Sequence, residues 1–504
     1  MVLLPEWTEK AEKRGLDPLG IQNSGVVLYQ SLLPGISNVT LRMRYYGYYC
    51  WVSEAYARDG ASSDFEAWRS WVRKAEALYA LVSALASEGG VGGIEWANRR
   101  LAAEEKVIDF AGAASTDPAQ ERYLRQSLGV FGGAYYTQMA EMGLFTENKH
   151  GIQVATRDLG RRAASLFGEA IGPAIAKLLY EKISSARVSL EELESLEVIA
   201  PSEIDANGAE RAFYEDLLLA QGMGVPTSAL SRATSLKLIL ETARAVGGWP
   251  GPEDVRWHLF HRAADPFPEE LEAQRLNWEA YQCQDLMQVA SAALLAWAIS
   301  IMNATDGGIS IPDLRAEVST TLAVLGEHVL RGSWSMFRTN AIFKDYDFKD
   351  AWDAITSRRG SAQEKAIRAV HLMAALDQRI ESRAELAAAI DRGFPKRGPA
   401  HSIRTELDWL SERDEEAVES VMADYVIERT VLRHSWVAMQ KLRRQRDYTF
   451  LFEVRDGRLV YLAGYQPVAT TPRLAPAIQF LADIHLIDDA GLTARALDVL
   501  GVAA

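Results

Sequence analysis

MGLFTENKHGIQVAT, residues Met142–Thr156, is the stretch on which the fold turns. A helical segment from Arg122 ends in Met142-Gly143-Leu144-Phe145, a polar turn through His150-Gly151 leads to Ile152-Gln153-Val154, and Thr156 then caps a helix through Phe167. Helix, short strand pair, helix is the order of a winged-helix module, a compact helical core carrying a two-stranded wing. His485-Leu-Ile-Asp, followed by Gly491 and Thr493, echoes the same phrase near the C-terminus, although two echoes do not make a repeat array.

Outward from this stretch the chain reads as helix, because apolar residues recur at three- and four-residue intervals among Ala, Leu, Glu and Arg. The spacing predicts helices over Val39–Arg58, Asp64–Ser87, Ile94–Glu104 and Glu415–Arg446, and Pro268 can start a long one carrying Trp278, Tyr281 and Leu294. Leu16 to Ile36 is punctuated by turn formers and is expected to be an ordered arm or loops with a short apolar stretch, Val26 to Leu33. Asp456-Gly457 between the β-rich runs Tyr448–Val454 and Leu459–Leu462 predicts a hairpin. The expected fold class is therefore mainly α, a multidomain helical protein with winged-helix-like elements and a C-terminal β-hairpin. Three domains are expected: 1–172 ending in the wing, a central helical 173–391, and 392–504 beginning at the loop Arg392–Pro399.

With 54 Lys and Arg against 68 Asp and Glu, the net charge of −14 opposes indiscriminate association with nucleic acid or anionic lipid. Any nucleic-acid site must be a local basic patch. Cys50 and Cys283 are too few and too far apart in sequence for a disulfide framework or a Cys-based zinc site, which fits a reducing cytoplasm. Glu6, Glu9 and Glu12 argue against a secretory signal, and the apolar run Val289–Met302 is shorter than a bilayer span, so a buried core helix is expected there.

The strongest basic cluster is Arg429, Arg433, Lys441, Arg443, Arg444 and Arg446, which as a patch would neutralise several phosphates. The simpler alternative is a solvated face opposite an inner stripe of Val431, Ser435, Ala438 and Leu442. Lys396, Arg397 and Arg404 form a smaller patch. At the wing, Lys149 and His150 sit at the tip and Arg157, Arg161 and Arg162 follow it, a second candidate DNA contact. Arg42, Arg44 and Tyr46, within Arg42–Tyr49, form an aromatic-basic segment of the kind that stacks on unpaired bases; on a helix its tyrosines are more simply core. His258 and His261 share a helical face and offer two metal ligands, with Glu253, Asp254 or Asp265 as candidate third, but no His-Glu-x-x-His is present. The acidic turn Asp345, Asp347, Asp350 lacks the rest of a calcium loop, and His434 reads as a hydrogen-bonded boundary residue. Phosphate-loop, dinucleotide-binding and nucleophile-elbow motifs are missing, so no cofactor is expected.

Four phrases together resemble uncharacterised bacterial proteins encoded near anti-phage defence systems. They are Leu33–Thr40 running into Arg44-Tyr-Tyr, Met142-Gly-Leu-Phe with Thr156 to Phe167, Trp278-Glu-Ala-Tyr281-Gln282, and His434–Ala438 to Leu442 with Arg473-Leu474 and Phe480-Leu481. The resemblance implies a context and carries no catalytic residues. The expected function is thus a non-catalytic component of a defence complex that binds other protein subunits, with DNA as a further ligand and no membrane. The alternative is a metal-dependent nuclease or hydrolase using His258 and His261.

Overall fold

The computed structural model describes residues 17–58, 63–103, 105–115, 123–124, 126–222, 226, 228–261, 266–325, 332–394 and 401–502. The protein is mainly α-helical, with small antiparallel sheets only among the described residues. It divides into two compact units interleaved in sequence, Tyr29–Trp278 with Thr471–Ala504, and Met1–Leu28 with Glu279–Thr470. Neither expected boundary coincides with a unit limit. The expected 172/173 boundary falls at a break between two helical segments within Leu159–Ser185, where Gly172 at φ +79° and ψ 156° leaves the helical region ahead of Pro173, and 391/392 lies inside the helix Ala384–Gly393.

In the first unit the helix Tyr45–Arg58 packs against Leu159–Ser185 and Phe65–Leu85. Its tyrosines are core: Tyr45, Tyr48 and Tyr49 are buried against Tyr79, Tyr135, Phe131 and Phe167. The helix begins at Tyr45 rather than Val39, because Ser37 and Thr40 close a separate turn, with the Ser37 N–H donating to Thr40 Oγ1 at 2.8 Å. The Met43 N–H ahead of the helix is taken by Asp483 Oδ2 at 2.8 Å, a partner from the other end of the chain that no local pattern discloses.

The echoed phrases are one local device built twice. Gly143 at φ +80° ends a helix, the Leu144 N–H returns to Met139 O at 2.8 Å, and the Thr156 N–H and hydroxyl donate to Leu144 O and Gly143 O at 2.9 and 2.7 Å. The second copy has His485 at φ +59°, Leu486 N–H to Leu481 O at 2.8 Å, and Thr493 N–H and hydroxyl to Leu486 O and His485 O at 3.2 and 2.9 Å. Each encloses an antiparallel pair, Phe145–Glu147 with Gln153–Ala155 and Ile487–Asp488 with Gly491–Leu492.

Asp17 accepts the Asn23 N–H at 3.3 Å, and the segment expected as an ordered arm or loops becomes the helix Gln22–Leu32. The helix Glu269–Ala304 contains the apolar run; it is long and apolar enough to cross a membrane, and its most apolar window is 89% buried inside the protein. Phe452–Arg455 and Arg458–Tyr461 pair antiparallel around Asp456 and Gly457, both with positive φ as a two-residue turn needs, and Ile309–Ser310 extends that sheet. The expected Glu415–Arg446 helix is continuous in three parts, Val418–Asp424, a π-helical Tyr425–Leu432 and Arg433–Gln445.

Candidate interaction surface on the basic helix

The six cations expected to act together on the Arg429–Arg446 segment have separate fates. Arg429 and Arg433 turn inward onto Glu406, a fully buried carboxylate on the helix Ile403–Ser411. Arg429 Nε and Nη2 donate at 3.0 and 2.8 Å, Arg433 Nη2 donates to both oxygens at 2.9 and 3.2 Å, and the Tyr425 hydroxyl adds a bond at 2.9 Å. Burial would raise the Glu406 pKa, but the Arg433 and Arg429 guanidinium groups outweigh it and hold the carboxyl below its usual range. These two arginines are structural and not available to phosphates. Lys441 Nζ donates to Asp17 O at 2.8 Å. Arg443, Arg444 and Arg446 are exposed at the C-terminal end.

Positions 434, 437 and 438 form the buried side of this helix. His434 Nδ1 lies 3.1 Å from Pro18 O, and its Nε2 accepts the Leu451 N–H at 3.0 Å. That acceptor role fixes the neutral Nδ1–H tautomer, and burial lowers the pKa to about 4. The opposite side is not the wholly charged face expected. Leu432, Trp436 and Met439 are 46, 50 and 46% exposed, at spacings of four and three that give one stripe leading to Arg443. The exposed residue before this stripe at the same spacing is Glu428, held by Trp409 Nε1 at 3.2 Å, with Arg413 3.9 Å away. Sequence reasoning missed both the stripe and Glu406. The 4–3–4 spacing was a readable signal for the stripe, whereas nothing local pointed to Glu406.

The other candidates are dispersed. Arg42 pairs with Asp483 and Glu88, Arg44 with Glu210, and the Tyr46 hydroxyl donates to Gly35 O at 2.8 Å; all three are buried, so the base-stacking surface is corrected to core. The tyrosine stripe faces packed helices, and the arginines neutralise acids brought from distant segments. Around the first strand pair Lys149, His150, Arg157, Arg161 and Arg162 are exposed, with Arg161 Nε 3.3 Å from Glu54 and the Arg162 guanidinium 5.4 Å from the Phe213 ring centroid. Arg404 is paired with Asp391, while Lys396 and Arg397 lie outside the described residues.

His258 Nδ1 lies 3.0 Å from Thr242 Oγ1, and burial lowers its pKa. The His261 ring stacks on Trp257 with centroids 5.5 Å apart. Asp265 lies outside the described residues, and among those described no three His, Cys, Asp or Glu side chains gather as a metal-binding group. Asp347 instead caps the helix Phe348–Thr356, accepting the Asp350 N–H at 2.9 Å. Compared with protein-family models, curated proteins and solved structures, the chain has no match.

Proposed function

We propose that this protein is a non-catalytic binding component that docks macromolecular partners through the outer face of its basic helix. The observation that carries this reading is the single line Leu432, Trp436, Met439, half-exposed and running into exposed Arg443, with Arg444 and Arg446 following. Large apolar side chains left in water beside concentrated charge are characteristic of surfaces that close on association. In the same reading the two helix, strand-pair, helix segments are winged-helix-like. DNA is contacted by Arg443, Arg444 and Arg446, and by Lys149, Arg157, Arg161 and Arg162 at the wing, while the acidic remainder limits non-specific binding. The resemblance of the four phrases to proteins encoded near anti-phage systems supports placing those partners in a bacterial defence complex.

The test is a salt titration of duplex DNA binding. Replacing Arg443 and Arg444 together by Ala should weaken binding and flatten the slope of log K against log salt by about 2, since each phosphate contact contributes about 0.9. An unchanged slope removes DNA from this helix.

A further inference from the structure

We infer that the partner seated on the basic helix is a second copy of this chain, in an antiparallel, two-fold pairing of residues 428–443. This rests on reading that helix as a docking surface and names its occupant. The argument is self-complementarity. In a two-fold arrangement whatever lies n residues before the axis meets what lies n residues after it in the other copy. With the axis passing between Ser435 and Trp436, Leu432 meets Met439 of the other copy, the two Trp436 side chains close the centre, and Glu428 meets Arg443. The acid and the base stand at opposite ends of the exposed apolar stripe, as this pairing requires.

Helix geometry permits the match. From Leu432 to Met439 the seam is about 10 Å long, and the steps of four, three and four residues keep Leu432, Trp436, Met439 and Arg443 on one side. Glu428 stays in line although it lies in the π-helical Tyr425–Leu432, because a step of four residues is still nearly one turn there. Its carboxylate is pre-set, since Trp409 Nε1 donates to it at 3.2 Å while the side chain remains 49% exposed. Arg443 is exposed, whereas Arg429 and Arg433, which an antiparallel neighbour would also approach, are turned inward onto the buried Glu406 and share its one negative charge. A foreign helix would need the same apolar spacing with acid and base in this order; the chain itself supplies it.

A seam this short belongs with small interfaces, so a dissociation constant of about 1–100 µM is expected. Sedimentation velocity on the full chain across that range should show a monomer–dimer equilibrium. Trp436→Asp should weaken association at least tenfold, about 1.4 kcal/mol, with unchanged far-ultraviolet circular dichroism. Glu428→Arg and Arg443→Glu each place like charges together and should weaken it, and the double variant E428R/R443E should restore it by reversing both ends. A wild type that stays monomeric, a dimer insensitive to W436D, or a double variant no better than the singles overturns the inference. W436D leaves Arg444 and Arg446, which the pairing does not use, in place, so loss of the dimer with DNA binding retained separates this result from failure of the DNA reading.

Discussion

Arg433 reaches both oxygens of the buried Glu406 with one nitrogen, and Arg429 approaches the same carboxylate from the preceding turn. A buried ion group of this kind costs most when one member is removed, because the remaining charges stay desolvated. Glu406→Ala strands two guanidinium groups and should destabilise the unit containing it by about 3–5 kcal/mol, read as a lowered urea midpoint. The depressed carboxyl pKa gives the pH sign. Its contribution is present above the unfolded-state value and disappears as pH falls through the folded one. The acid limb of the wild-type stability curve should therefore be shallower in the variant.

Glu76 shows the opposite shift. Burial raises its pKa to about 7, against the Phe131 N–H, the Tyr49 hydroxyl and the Val130 N–H, which donate to it, and against the nearby Arg73. The folded state then binds a proton that the unfolded chain has released, so the Glu76 contribution to stability falls as pH rises from about 4.5 to about 7 and is flat above. Glu76→Gln turns an amide toward one of these donors and should cost about 1–3 kcal/mol at pH 5, and the change in stability from pH 5 to 7.5 should be more positive in the variant than in the wild type. Denaturant titrations at the two pH values measure both effects.

How far the fold could be read ahead follows from where each determinant lies. Helix starts with a local cap were legible: Asp64 accepts the Glu66 N–H ahead of Phe65–Leu85, and Asp456-Gly457 supplied the turn its φ values require. The start of Tyr45–Arg58 was not, because its outer donor is satisfied by Asp483, 440 positions away. The same distance rule divides the site. Six cations within eighteen positions looked like one patch, but two of them answer to Glu406, on a different helix, and of the six only Arg443, Arg444 and Arg446 are exposed. The stripe beside them was visible in spacing alone, yet periodicity cannot say which of two apolar faces a helix buries.

His434 joins the basic helix to two other segments, facing Pro18 O with Nδ1 and receiving the Leu451 N–H at Nε2. Protonation would put a hydrogen against that N–H, and burial already lowers the pKa to about 4. Between about 4 and 6.5 the unfolded chain binds a proton that the folded one refuses, so His434 makes stability rise with pH across this window. In a histidine-labelled NMR titration its ring carbon should remain in the neutral form at pH 5. His434→Ala should cost about 1–3 kcal/mol by leaving the Leu451 N–H without its acceptor, and the change in stability from pH 4 to 6.5 should be less positive in the variant than in the wild type.

Gly47 lies where a helix and a hydroxyl come too close for any side chain. A Cβ there would stand 2.1 Å from Tyr214 Oη, 3.2 Å from Tyr214 Cζ and 3.4 Å from Phe167 Cβ. The hydroxyl cannot simply retreat, because it donates to Glu210 Oε1 at 2.8 Å, and Glu210 in turn holds the buried Arg44. Gly47→Ala should therefore destabilise by about 1–3 kcal/mol, the range for forcing a methyl into a packed interior. Tyr214→Phe alone should lose about 1 kcal/mol for one hydrogen bond, since Arg44 still satisfies the carboxylate. The clash is mainly with the hydroxyl, so the double variant G47A/Y214F should be more stable than the two separate losses add up to, by about 1 kcal/mol. Strict additivity in thermal or urea unfolding would mean that the added methyl is resisted by Phe167 and the Tyr214 ring rather than by the polar chain leading to Arg44.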